Sequence, residues 1–185
     1  MADFNFLEQV ATQIKRNRQQ LTEVEEDLAS VNFKIHEIPL KVSTESTFAK
    51  MIGEQYHDTT NELETAKERL MGEKETLTTK INEDISTFIA EFTSPELVIP
   101  LEPNPMISEG NTFFKYKNNA TFKSIFDILS ELLGLSSPIL VKDVMFSPAE
   151  IVIKVNDAYE AKQKFLSSIS EVQKTLSIKR RKNES

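Results

Sequence analysis

The amino-acid sequence predicts an α+β protein in which long helices come first and a small mixed domain follows. Three observations predict it. An apolar repeat of alternating three- and four-residue steps runs from Leu7 to Ile35. Four of the seven prolines fall between Pro95 and Pro105. After residue 110, strand-like and helix-like stretches alternate. Charge divides at the same place: residues 1–95 carry −8 and residues 96–185 carry +1, giving the total of −7. These features predict a rod over 1–94, a proline-stiffened connector over 95–110, a small α/β domain over 111–178 and a basic tail over 179–185.

The first helix carries its repeat at Leu7, Val10, Ile14, Asn17, Leu21, Val24, Leu28, Val31 and Ile35. An apolar 3.5-residue spacing keeps one seam facing a partner helix, which is the signature of a coiled coil. Arg18, Gln20, Glu25 and Asp27 flank the seam and keep it narrow. Asn17 is its one polar member. A seam amide costs stability unless it pairs across the interface, so it either selects register and oligomer state or is a tolerated polar layer beside Arg16 and Arg18.

Pro39 predicts a break near 37–45, because proline lacks an amide proton and clashes with the preceding turn. Ser43 and Thr44 are N-cap candidates for a second helix over about 45–93. Its seam runs Ile52, Tyr56, Thr59, Leu63, Ala66, Leu70, Glu73 and Leu77, then slips through Ile81, Ile85, Phe88 and Phe92. At 1.5 Å per residue the two helices would be roughly 45–50 Å and roughly 70 Å long. That mismatch favours a parallel homodimer, with Leu63, Leu70 and Leu77 adding to the interface, over a hairpin or a heteromeric bundle.

In the second half, Thr112 to Lys117 reads as a strand and Asn118-Asn119 as its turn. Thr121 is placed to cap a helix with Phe122, Ile125, Phe126, Leu129, Leu132 and Leu133 on its apolar face. Gly134 ends it in the left-handed conformation. Ile139–Phe146 and Ile151–Val155 read as a hairpin turning at Ser147–Glu150. Asn156 or Asp157 opens the last helix, with Glu160 placed to close a capping box on Asp157. Leu176–Arg180 reads as a short fourth strand. The order β-α-β-β-α-β is the split βαβ pattern of ferredoxin-like folds.

Chemistry-bearing patterns are sparse. There is no cysteine, hence no disulfide or zinc-thiolate site. His36 and His57 stand apart from other ligands at metal spacing. Four glycines form no phosphate-cradling motif. No apolar run approaches the roughly 18 residues of a membrane span, and Met1-Ala2-Asp3-Phe4 does not open a signal peptide. No catalytic residue, cofactor or metal is expected, and a cytoplasmic or nuclear setting fits. Phe114 and Tyr116 share one strand face and Phe113 the other, which points to core packing rather than base stacking. The basic run Lys179, Arg180, Arg181, Lys182 is the one candidate contact for nucleic acid or an acidic partner.

A rod followed by the unit Ile151-Val152-Ile153-Lys154-Val155-Asn156-Asp157-Ala158-Tyr159 through Phe165-Leu166 is similar in style to the coiled-coil and ferredoxin-like proteins of pilus assembly and type II secretion. The architecture also resembles kinetochore and monopolin-type subunits, whose rods end in compact heads. Both resemblances imply a non-enzymatic scaffold that self-associates and presents a protein-binding domain. A nucleic-acid-associated linker using the basic tail is the alternative.

Overall fold

A computed structural model describes residues 4–42, 49–117, 122–136 and 138–183. Of residues 38–42, 49–58 and 183 only the backbone course is described, so the cap candidates Ser43, Thr44 and Thr121, the turn at 118–119 and the His57 side chain lie outside. The elements in order are α1 (Phe4–Val42), α2 (Ala49–Phe92), β1 (Met106–Ser108), β2 (Asn111–Lys115), α3 (Phe122–Leu133), β3 (Ile139–Val141), β4 (Val144–Phe146), β5 (Glu150–Ile153) and α4 (Ala158–Asn183). The chain is α+β. It divides into two compact units, one of residues 1–15 and 83–185, the other of residues 16–82.

The unit of residues 16–82 is a helical hairpin. Lys74 Nζ pairs with the Glu25 carboxylate at 2.7 Å, and Leu28 and Asn32 share a shallow groove with Lys67, Met71 and Thr78. Asn17, Val24, Leu70 and Ile81 are buried, while Leu21, Leu28, Val31, Ile35, Leu63 and Leu77 are half-buried. The length argument against a hairpin does not hold. α1 is helical through Pro39 to Val42, so the two helices have 39 and 44 residues. The backbone therefore stays helical past Pro39, and the proline does not end α1 where its missing amide proton predicted a break.

The other unit joins the start of α1 and the end of α2 to the sheet and its helices. Phe4, Leu7, Val10, Ala11 and Ile14 lie in one core with Phe88, Ile89, Phe92 and α3. Phe4 stacks on Phe122 with centroids 5.7 Å apart, and Tyr116 stacks on the same Phe122 ring at 3.8 Å. Phe4 and Ala11 widen the narrow seam into a broad apolar stripe. That is the face of a helix on a globular core. Thus Leu7, Val10 and Ile14 find their burial inside the chain, where a contact with a second chain was expected.

The sheet is antiparallel throughout, in the order β1-β2-β5-β4-β3. This corrects the ferredoxin-like expectation in three places. Residues 176–180 are the last turns of α4, because Phe165, Ser168, Val172 and Leu176 bury one face at helical spacing. The stretch 139–146 is two strands, since Lys142 turns the chain with φ 55°. An additional strand, β1, precedes β2 through a tight turn in which Glu109 and Gly110 have φ 49° and 83°.

The expected stop at Gly134 and start at Asp157 are seen. Gly134 has φ 67°, and Leu135 N donates to Ser130 O at 2.9 Å, the long bond of a glycine-terminated helix. Glu160 N donates to Asp157 Oδ1 at 2.7 Å, so Asp157 caps α4. The proline-rich stretch is more than a connector. Leu97, Ile99 and Leu101 pack on the core, Glu102 N donates to Lys115 O at 2.7 Å, and Lys117 N donates to Pro100 O at 2.9 Å.

Candidate functional site

Two neighbouring elements build an open concavity in the sheet-bearing unit. The first is the segment 97–105. Its alternation sends Leu97, Ile99 and Leu101 to the core and leaves Val98 71% exposed. Prolines 100, 103 and 105 restrict its backbone, and the hydrogen bonds to β2 hold it in place. The second is the N-terminal half of α4. There Ala161, Phe165 and Ser168 face inward, while Tyr159 and Leu166 are 75% and 51% exposed. Ser168 Oγ donates to Val141 O at 3.3 Å, and Gln173 Nε2 donates to Phe92 O at 2.9 Å. These bonds set the rotation of α4 about its axis.

Between the two elements lies an open groove of about 780 Å³, with Val98, Pro103, Tyr159, Phe165, Leu166 and Ile169 in its walls. Lys117, Lys162 and Glu102 supply its charge. The volume lies in the range of ligand-binding clefts, roughly 300–1,000 Å³. The walls are mostly apolar, and among the described residues no histidine, serine or threonine lines them. A groove of this make-up buries apolar side chains of a ligand and offers cations to an anion beside them.

Among the described residues, the groups with displaced proton affinity lie elsewhere. Burial raises the Glu8 carboxyl above its usual range. Burial, and then the nearby Glu150 carboxylate, raise the Tyr116 hydroxyl well above the ordinary tyrosine value. Tyr116 Oη is buried without a hydrogen-bond partner among the described residues. Both shifts have desolvation as their leading cause. Among the described residues no group of three or more His, Asp or Glu side chains is placed to hold a metal ion. His36 is exposed on α1. Phe114 and Tyr116 lie in the core and Phe113 on the opposite sheet face.

The basic run falls on the last turns of α4. Lys179 Nζ donates to the Leu132 carbonyl at the end of α3. Arg180 is half-buried, and Arg181 and Lys182 are exposed. Cations there suit the negative end of the helix dipole, which gives the run a structural use. The structure does not bring it together with the groove. The sequence pattern does not mark the groove, because Tyr159, Phe165, Leu166, Ile169 and Val172 all fall on one helix and their faces separate only in the structure. Tyr159 and Leu166 are seven residues apart, two helical turns, and form a second face beside the buried one.

No family model matches the chain, and neither curated proteins nor solved structures yield a match. Among the described residues no helix is long and apolar enough to cross a membrane.

Proposed function

We propose that the chain is a non-enzymatic adaptor whose sheet-bearing unit holds an apolar segment of a protein partner in the groove between 97–105 and α4. The observation that carries this reading is the exposure of Val98, Tyr159 and Leu166 around a preformed groove of about 780 Å³. A tyrosine anchor ringed by apolar contacts that exclude water is a common source of binding energy at interfaces. Lys117 and Lys162 outnumber Glu102 there, so the fitting segment carries apolar residues next to a carboxylate. The helical hairpin supplies the assembly element in this reading. The parallel dimer through Leu7, Val10 and Ile14 is not part of it, since those side chains are buried in the chain's own core.

The test uses peptides displayed on phage and selected on the full chain. Apolar peptides with an acidic neighbour are expected, and Tyr159→Ala with Leu166→Ser should weaken them about tenfold or more. Selected peptides that bind wild type and double variant equally would remove the groove from the reading. A photo-reactive residue at position 98 then identifies the natural partner by its crosslinked segment.

A further inference from the structure

The five-stranded sheet has a second face, and its residues line up in register. Met106 pairs with Phe113, Phe113 with Val152, Val152 with Met145, and Met145 with Leu140. Alternation along the strands puts all five on the face opposite the core. Phe114, Ile151, Phe146 and Ile139 form the adjacent row on the core side, and all four are buried. On the outer face Met106 and Leu140 are 57% and 62% exposed, and Phe113, Met145 and Val152 are half-buried. None of the five belongs to the described core or packs against it. With strands about 4.8 Å apart, the row is an apolar stripe roughly 19 Å long.

Charge flanks the stripe asymmetrically. Two residues beyond Val152 stands Lys154, beside Asp143, whose carbonyl oxygen accepts from Lys154 N at 3.2 Å. Two residues before Val152 stands Glu150, opposite Lys115. Neither the Lys154 ammonium nor the Glu150 carboxylate forms an ion pair with another described residue.

We propose that this face binds the same face of a second copy of the chain, about a two-fold axis that runs along the stripe. That axis stacks the five apolar residues of one copy on those of the other. It also sets Lys154 of each copy over Glu150 of the other, twice by symmetry. A two-fold parallel to the strands and centred on β5 would instead oppose lysine to lysine and glutamate to glutamate. The β5 charges therefore favour the axis along the stripe over that one. Stacked sheets stand about 10 Å apart, a gap that these side chains span. Five apolar residues a side form less than a standard interface, so the dimer is weak and reversible. It does not involve the groove.

Sedimentation equilibrium of the full chain across the micromolar range tests the proposal. Wild type should show a reversible monomer–dimer equilibrium. Lys154→Glu and Glu150→Lys should each weaken it on the order of tenfold, because two attractions become two repulsions. Combining both changes should restore it. Val152→Lys should abolish it while the circular dichroism and melting temperature stay near wild type, as expected for a substitution outside the core. Tyr159→Ala with Leu166→Ser should leave it intact, which separates this dimer from the groove. A wild-type monomer at every concentration would overturn the proposal, as would a double charge reversal that stays as weak as the single changes. A crosslinker at position 152 that captures only a different protein would overturn it too.

Discussion

Replacing Leu7 with alanine separates a helix on a core from a helix in an intermolecular seam. Leu7 is fully buried, 0% exposed, in the cluster that includes Ile14, Phe88 and Phe122. The truncation removes three carbons, worth about 2–2.5 kcal/mol in transfer free energy. The aromatic neighbours are themselves constrained by stacking, so the site closes poorly and a cavity contribution adds to the loss. The total expected is about 3 kcal/mol, within the 2–5 kcal/mol typical of buried Leu→Ala changes. For a chain of this length that lowers the melting temperature by roughly 6–12 °C. Urea titrations of both proteins by circular dichroism, at several protein concentrations, measure the difference. A core residue gives the same difference at every concentration. A difference that grows on dilution, or one below about 1 kcal/mol, would refute the intramolecular core and return Leu7 to an interface between chains.

Two further changes test other parts of the fold. Tyr116→Phe removes a buried hydroxyl that has no described partner, so it should be neutral or stabilise by up to about 1 kcal/mol near pH 7. Burial raises the folded-state affinity of Tyr116 for its proton. The unfolded chain therefore ionises first, near pH 10, and wild-type stability falls above that pH by about 1.4 kcal/mol per unit. The phenylalanine variant lacks this share of the loss, and urea titrations from pH 7 to 11 show the divergence. Gly134→Ala should cost about 1 kcal/mol. An added Cβ would meet nothing within 4 Å, so the cost comes from the left-handed backbone at φ 67°. A loss within error would mean that the end of α3 rearranges.

Local signals were legible wherever a side chain acts on its own neighbourhood. Gly134 and Asp157 mark the end of α3 and the start of α4 by chemistry that reaches only one turn. The apolar repeat of α1 and α2 was legible as helix for the same reason. Leu176–Arg180 misled because a three-residue alternation is too short to separate strand from helix, and Leu176 joins the face of Phe165 and Val172 only on a helix. Residues 97–105 misled because proline-rich composition describes a stiff backbone and not what that backbone rests on. The groove was illegible because it needs two segments some sixty residues apart.

The sequence by itself determined that the first half is helical and where α3 ends and α4 begins. It also determined which residues are apolar enough to need cover. Only the tertiary structure decided what covers them. An apolar spacing states how a helix presents its stripe, and any complementary surface satisfies it, because burial has no direction and no address. Leu7, Val10 and Ile14 found that surface in Phe88, Phe92 and α3 of the same chain. Sheet order was likewise settled by long-range pairing of β2 with β5, which no local pattern encodes.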